Sequence, residues 1–284
     1  ILSGLVGSEM CIRDSAMMKV ENSTVSTTGD SSPAIMIADG GGILIADGGS
    51  FTTSGAMSQG IYSKGDVTVT NASVNALNAK AAVLKGNNTI TLSGTILEGK
   101  ETTDAVPYNI VLFSDEKDIG TMGTQHFDVR GGSLISHKGG MFYVTATHGK
   151  ISLNGTAITM DDPAANLITV AGNDGANGWG TPGRNGGHVE LVADNQILTG
   201  NISVDSISNI NMTLKNNSTF NGIISIVPNA EGGEKYKTNA DVFIAAGSTW
   251  NLTGNSTLTS LYNLGTINYN GYTITLADGT VMKE

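Results

Sequence analysis

A repeated unit constrains the fold of this chain more than any other feature. From Lys19 onward, a short strand of alternating apolar and polar residues is followed by a corner of small residues and a second apolar strand, as in KVENSTVSTTG, ILIADGGSFTTSG and VFIAAGSTWNLTG. The residues that open successive copies are Ile43, Val67, Ile90, Phe127, Ile151, Val189, Ile210 and Val242. Their spacings are 24, 23, 37, 24, 38, 21 and 32 residues. We interpret the longer spacings as one basic repeat plus an insertion.

This period indicates a β-solenoid. A repeat in the twenties with strand alternation and no helical apolar stripe is typical of stacked repeats, and the LxxLxLxxN pattern of leucine-rich repeats is absent. We therefore predict an all-β, single-domain, right-handed parallel β-helix of about nine or ten coils, stacked about 4.8 Å apart. The predicted inward residues are Ile43, Ile45, Val67, Val69, Ile90, Leu92, Ile151 and Leu153. The predicted water-facing residues are Thr68, Thr70 and Thr91.

The charge of the chain is low and acidic. Charged residues make up 14% of the sequence, and the net charge is -10 with no cluster of Lys or Arg. We therefore expect no nucleic-acid partner, and no apolar run approaches the roughly 18 residues of a membrane span, so we expect no membrane insertion by this segment. Low charge also suits in-register stacking, because a charge repeated on successive coils repels itself, whereas Thr, Ser and Asn ladders are neutral.

The first fifteen residues, ILSGLVGSEMCIRDS, differ from everything that follows. They have no initiator Met, no basic region and no A-x-A cleavage site, so they do not read as a signal peptide. They resemble translated sequencing-adapter read-through, and we interpret residues 1–15 as non-native and residues 16–284 as the β-helix. A frayed, disordered leader is the alternative. Cys11 is the single cysteine, which excludes a disulfide framework and fits an extracellular protein.

Two stretches near the end carry a family resemblance. They are ILTGNISVDSISNINMTLKNNSTFNGII, residues 197–224, and GSTWNLTGNSTLTSLYNLGTINYNG, residues 247–271. Over about residues 186–279 the chain resembles the closing coils of autotransporter-type passenger domains, the pertactin-like and adhesin β-helices of bacterial surfaces. The resemblance implies a secreted or surface-displayed bacterial β-helix with no cofactor and no fixed catalytic motif. We therefore expect an adhesin-like protein that binds glycans, matrix or other cells through multivalent contacts.

Two other functions stay open. Polysaccharide lyases and hydrolases also have this pectin-lyase-like fold, and polygalacturonases resemble one another in paired aspartates with a histidine. The adjacent carboxylates of Asp161 and Asp162 are of the residue type that such acid–base chemistry uses. The competing interpretation is that they form a charged coil corner. The four histidines, His126, His137, His148 and His188, are scattered along the sequence. We predict no catalytic residue and no enzyme activity, and a structural spacer of a larger surface protein is the third interpretation.

Two insertions interrupt the repeat, and we expect specific function to lie in them. The first, about residues 99–125, concentrates charge, and the second, about residues 171–187, is rich in glycine. In the second, Asn173, Asp174 and Asn177 offer oxygens of the type that Ca²⁺ prefers. Trp179, flanked by Arg184 and His188, is the candidate for stacking on a sugar ring. A glycine-rich excursion in which Trp179 covers part of the β-helix is the alternative.

Overall fold

The computed structural model describes residues 11–12, 16–38, 41–105, 107–114, 123–173 and 181–284. The regular secondary structure of these residues consists of β-strands alone. No helix long and apolar enough to cross a membrane occurs among them. The chain divides into two compact units. Unit 1 comprises Ile1–Leu112, Thr124–Phe142 and Thr156–Ala164, and unit 2 comprises Phe113–Gly123, Tyr143–Gly155 and Ala165–Glu284.

Unit 1 consists of parallel strands on three faces of successive coils. The first face contains β2 (Met17–Thr27), β4 (Ile43–Thr53), β6 (Asp66–Thr70), β9 (Thr89–Ser93) and β12 (Thr124–Arg130). The second face continues from the C-terminal half of β4 to β7 (Ser73–Ala76), β10 (Ile96–Gly99), β13 (Ser133–Ser136) and β16 (Ala157–Met160). The third face contains β1 (Cys11–Ile12), β3 (Ile35–Ile37), β5 (Ile61–Ser63) and β8 (Ala82–Lys85), and β11 (Tyr108–Phe113) and β14 (Gly140–Thr145) begin in this unit.

Unit 2 repeats the same arrangement. Its first face contains β15 (His148–Asn154), β18 (His188–Asp194), β21 (Asn209–Lys215), β24 (Ala240–Ile244) and β27 (Ser260–Asn263). Its second face contains β19 (Ile197–Thr199), β22 (Thr219–Gly222), β25 (Thr249–Leu252) and β28 (Thr266–Asn268). Its third face contains β17 (Ile168–Val170), β20 (Ile202–Asp205) and β23 (Ile224–Val227). A separate sheet contains β26 (Ser256–Leu258), β29 (Ile274–Leu276) and β30 (Val281–Met282), with β29 and β30 antiparallel.

Each unit is therefore a parallel β-solenoid, as the sequence period predicts. The first face contributes five strands in each unit, ten in all among the described residues, which agrees with the predicted number of coils. Successive strands on a face are held by the parallel ladder, so each coil supplies hydrogen bonds and apolar contacts to the next.

The core contains the alternating apolar residues of the strands. Six of the eight residues that the sequence places inward are almost fully buried, namely Val67, Val69, Ile90, Leu92, Ile151 and Leu153. The residues between them on the same strands, including Thr68, Thr70 and Thr91, are more accessible. The period-2 alternation therefore places the core correctly on β6, β9 and β15.

The predicted inward positions on β4 are wrong by one residue. Ile43 is 38% exposed and Ile45 is half-buried, whereas Leu44 is fully buried. The ladder explains the difference, because Leu44 lies opposite Val67 and Ile43 lies opposite Asp66. A shift of one residue moves every side chain of a strand to the other face, and the run ILIA in β4 does not show by itself which residues point inward.

Trp250 of β25 is a core residue. Its side chain is fully buried, and its ring lies 5.5 Å from that of Phe220, the residue directly opposite on β22. The indole Nε1–H donates a 3.0 Å hydrogen bond to the carbonyl oxygen of Gly222. The indole therefore fills the core with its one polar group satisfied.

The bend between β12 and β13 shows why glycine occupies coil corners. Gly131 and Gly132 have φ values of +61° and +64°, a region that L-residues with a side chain avoid. A Cβ atom on Gly132 would lie 2.1 Å from the carbonyl oxygen of Thr95, whereas a Cβ on Gly131 would meet no atom within 4 Å. Backbone conformation thus favours glycine at both positions, and close stacking of coils requires it only at Gly132.

Candidate functional site

The outer surface of the first face in unit 2 brings together side chains that are far apart in sequence. Alternate residues of β15, β18, β21, β24 and β27 point away from the core, and the in-register ladder arranges them in rows across the strands. The first row contains Lys150, Glu190, Asn211, Asp241 and Ser260. The second row contains Ser152, Val192, Thr213, Phe243 and Tyr262. A polar row therefore runs beside a row that ends in two aromatic residues.

The two aromatic residues form a stacked pair. The ring centroids of Phe243 and Tyr262 are 5.6 Å apart, and the ring planes differ by 24°. Tyr262 is 62% exposed and Phe243 is half-buried. The two residues stack because Phe243 lies directly opposite Tyr262 in the ladder between β24 and β27. The result is a nearly continuous aromatic surface that is accessible to solvent.

An open groove of about 350 Å³ lies over this pair and the adjoining polar row. Its outward-facing lining consists of Asn211, Thr213, Asp241, Phe243, Ser260 and Tyr262, and we name it the aromatic groove. The Ser260 hydroxyl donates a 2.5 Å hydrogen bond to Oδ1 of Asp241. An amide, a carboxylate and two hydroxyls thus border the rings and provide both donors and acceptors.

A stack of two histidines lies on the same outer surface. His148 is opposite His188, and His188 is opposite Asn209. The two imidazole rings are stacked with centroids 4.6 Å apart and planes 22° apart, and the ring of Tyr236 lies 5.0 Å from that of His188. Partial burial, followed by the neighbouring His188, lowers the pKa of His148. The neutral imidazole of His148 is therefore favoured.

The predicted site residues that the structure describes lie in different surroundings. His188 belongs to the histidine stack, and Arg184 is exposed in the glycine-rich insertion. Asn173 is fully buried, and its N–H donates to the carbonyl oxygen of Arg184 at 2.8 Å. The remaining candidates, Trp179, Asp174 and Asn177, lie outside the described residues, so neither the sugar-stacking tryptophan nor the calcium prediction is tested. Among the residues that are described, no group of three or more His, Cys, Asp or Glu side chains forms a metal site.

The described part of the glycine-rich insertion is anchored by a buried carboxylate. Asp205 accepts hydrogen bonds from the N–H of Gly172 at 2.8 Å and from the side-chain amide of Asn229 at 2.7 Å. A Cβ atom on Gly186 would lie 2.0 Å from the carbonyl oxygen of Ile207. Both ends of the insertion are therefore packed closely against the neighbouring coil, and Arg184 between them is exposed.

In unit 1, the predicted aspartate pair lies at a charged coil corner. Nδ1 of His137 is 2.9 Å from Oδ2 of Asp161, and Nε2 is 3.3 Å from Oε2 of Glu98. The hydrogen bond with Asp161, followed by that with Glu98, raises the pKa of His137. The three residues meet because β10, β13 and β16 stack in register. Both ring nitrogens are thus engaged by carboxylates in one ion-pair network.

Sequence reasoning did not identify the aromatic groove. A signal was present, because the aromatic residues occupy the same position in two successive copies, Phe243 in DVFI and Tyr262 in SLYN. Aligning the copies by their apolar residues would have placed the two rings side by side. Comparisons of the chain with protein-family models, with curated proteins and with solved structures find no significant match.

Proposed function

We propose that this chain is an adhesin-like β-helix that acts outside the cell, at a bacterial surface or in secreted form, and binds glycans through the aromatic groove. The observation that carries the proposal is the stacked pair of Phe243 and Tyr262 on an outward sheet surface beside a polar row. Sugar rings present an apolar C–H face and a rim of hydroxyls. A rigid aromatic surface can stack on the C–H face, and a few fixed polar groups can hydrogen-bond to the hydroxyls.

The polar rim indicates which glycans fit. Asp241 and Ser260 are hydrogen-bonded to each other beside the rings, and Asn211 is exposed in the same row. A carboxylate accepts hydrogen bonds from sugar hydroxyls, but it repels uronic acids and sulfated sugars, and the chain carries a net charge of -10. We therefore expect neutral or amino sugars to bind better than acidic ones.

A shallow groove of this kind gives weak binding at one site. An adhesin compensates by presenting many copies at a surface, where the second and later contacts form at high effective concentration. The nearly cysteine-free sequence and the resemblance to passenger domains support an extracellular setting. The fold itself does not name the ligand, and it is the groove that favours glycans.

A glycan array probed with multivalent protein tests the proposal. Wild-type protein is expected to bind neutral or amino sugars, and the double variant Phe243→Ala/Tyr262→Ala is expected to lose about tenfold or more in affinity, which corresponds to about 1.4 kcal/mol. Tyr272→Ala is the matched control, because Tyr272 is also an exposed aromatic, at 39%, but does not line the groove.

Two further readouts separate the alternatives. Asp241→Asn is expected to reduce the discrimination against acidic sugars, since it removes the groove carboxylate. Release of reducing ends from polysaccharides would instead support the hydrolase alternative. Absence of binding by the wild type, or equal binding by the double variant and the Tyr272→Ala control, would contradict the proposal and favour a structural spacer.

A further inference from the structure

The histidine stack combines two features that metal ligands need. His148 and His188 occupy directly opposed positions on adjacent parallel strands, so the backbone fixes both side chains side by side. Their rings are almost parallel, with planes 22° apart and centroids 4.6 Å apart. The two imidazoles therefore stand side by side on adjacent strands. Imidazole nitrogens held together in this way suit Zn²⁺, Ni²⁺ and Cu²⁺.

Asn209 fixes the tautomer of His188. Nδ1 of His188 lies 2.6 Å from Oδ1 of Asn209. An amide oxygen only accepts hydrogen bonds, so in this contact Nδ1 carries the proton. In the neutral ring, Nε2 then holds the lone pair that a metal ion requires. A hydrogen bond of this type from the second ring nitrogen is the usual support of a metal-binding histidine.

We propose that His148 and His188 bind a divalent transition-metal ion of the Zn²⁺, Ni²⁺ and Cu²⁺ class, with water molecules as the other ligands. Metal–nitrogen bonds of about 2.0–2.1 Å require the two nitrogens to lie within about 4.2 Å of each other. The stacked rings do not direct their lone pairs at one point, so binding requires the ring of His148 to turn, and its position at the solvent-exposed start of β15 leaves room for that rotation. The site is separate from the aromatic groove, and the proposal does not depend on glycan binding.

The surroundings of the stack favour these two residues as the ligands. The nearest charges in the adjoining row are Lys150 and Glu190, which form an ion pair with 2.8 Å between Nζ and Oε1. Their opposite charges compensate each other, so the pair adds no net charge that would repel a cation at the imidazoles. The ring of Tyr236 also packs against that of His188, with centroids 5.0 Å apart, and this contact limits the movement of the His188 ring.

The other described histidine cluster does not offer the same chemistry. Both nitrogens of His137 face carboxylates, Asp161 at 2.9 Å and Glu98 at 3.3 Å. This arrangement favours the imidazolium ion, which has no lone pair for a metal. His137 is therefore a suitable control for nonspecific binding to surface histidines.

Isothermal titration of the full chain with Zn²⁺, Ni²⁺ or Cu²⁺ alone tests the proposal. One ion per chain is expected, with Cu²⁺ bound most tightly and with no heat from Mg²⁺ or Ca²⁺. His148→Ala and His188→Ala are each expected to weaken binding by more than about 100-fold. Asn209→Ala is expected to weaken it by about tenfold, whereas Asn209→Asp is expected to strengthen it, because a carboxylate partner raises the basicity of the ligand. His137→Ala is expected to change nothing.

Electron paramagnetic resonance of the Cu²⁺ complex provides a measurement that needs no variant. Hyperfine coupling to two imidazole nitrogens is expected for the wild-type protein. Coupling to one nitrogen or none would overturn the proposal, as would a flat titration with all three ions. Binding that is lost in His137→Ala but retained in His148→Ala would assign the ion to the cluster of His137, Asp161 and Glu98. That result would also refute the proposal.

Discussion

Replacing Glu101 by Gln tests how unit 1 holds a buried charge. The Glu101 side chain is 2% exposed, and its Oε2 lies 2.7 Å from Nζ of Lys80. Its Oε1 accepts hydrogen bonds from the N–H of Thr103 at 2.6 Å and from the Thr103 hydroxyl at 2.5 Å. Burial by itself would raise the pKa of this carboxyl, but the hydrogen bonds from Lys80 and Thr103 outweigh it and lower the pKa to about 2.

The size of this pKa shift sets the expected effect on stability. Lowering the pKa of Glu101 from 4.5 to about 2 stabilises the folded state by about 3 kcal/mol at neutral pH. We reduce this to about 2 kcal/mol for solvent screening, because Asp104, the second partner of Lys80, is about half exposed. The folded-state pKa is depressed, so the stabilisation is complete above about pH 4.5 and is lost as the pH falls through about 2.

Urea unfolding followed by far-UV circular dichroism at pH 7, 4.5 and 2.5 measures the effect. Glu101→Gln is expected to lower the free energy of unfolding by about 2 kcal/mol at pH 7 and to reduce its loss between pH 4.5 and 2.5. Glu190→Gln is the control, since Glu190 pairs with Lys150 at an exposed site and is expected to cost less than about 1 kcal/mol. A Glu101→Gln variant that is as stable as wild type at pH 7, or that retains the full acid-induced loss of stability, would show that this carboxylate does not stabilise unit 1.

Two other perturbations test the packing of the coils by the same unfolding measurement. Trp250→Ala is expected to lower the free energy of unfolding by about 3–5 kcal/mol, because it opens a cavity beneath Phe220 and removes a hydrogen bond. A loss below about 1 kcal/mol would show that the coil collapses around the site. Gly131→Ala is expected to cost about 1 kcal/mol for backbone conformation. Gly132→Ala is expected to lower the free energy of unfolding by about 1–3 kcal/mol more than Gly131→Ala, because its Cβ meets the Thr95 carbonyl. Equal losses for the two variants would refute close stacking of coils as the reason for glycine at position 132.

Much of the fold could be predicted from the sequence because a solenoid repeats one local pattern. Alternation identified Val67, Val69 and Ile90 as core residues. It failed on β4, where four consecutive apolar residues fit either face and only the contact of Leu44 with Val67 decides the orientation. Local patterning determines that a strand has a buried face, but a stacked neighbour decides which residues occupy it.

The candidate sites could be predicted much less well. The sequence led to the glycine-rich insertion and to His188, because these features stand out along the chain. It did not connect His188 with His148, or Phe243 with Tyr262, because the intervening coils differ in length and the strand register across them is set by stacking. The sequence by itself determined the all-β solenoid, its inward alternation and its low charge, since each follows from local periodicity and composition. Only the tertiary structure decided which outward side chains become neighbours, because the hydrogen-bonded ladder between coils fixes that register.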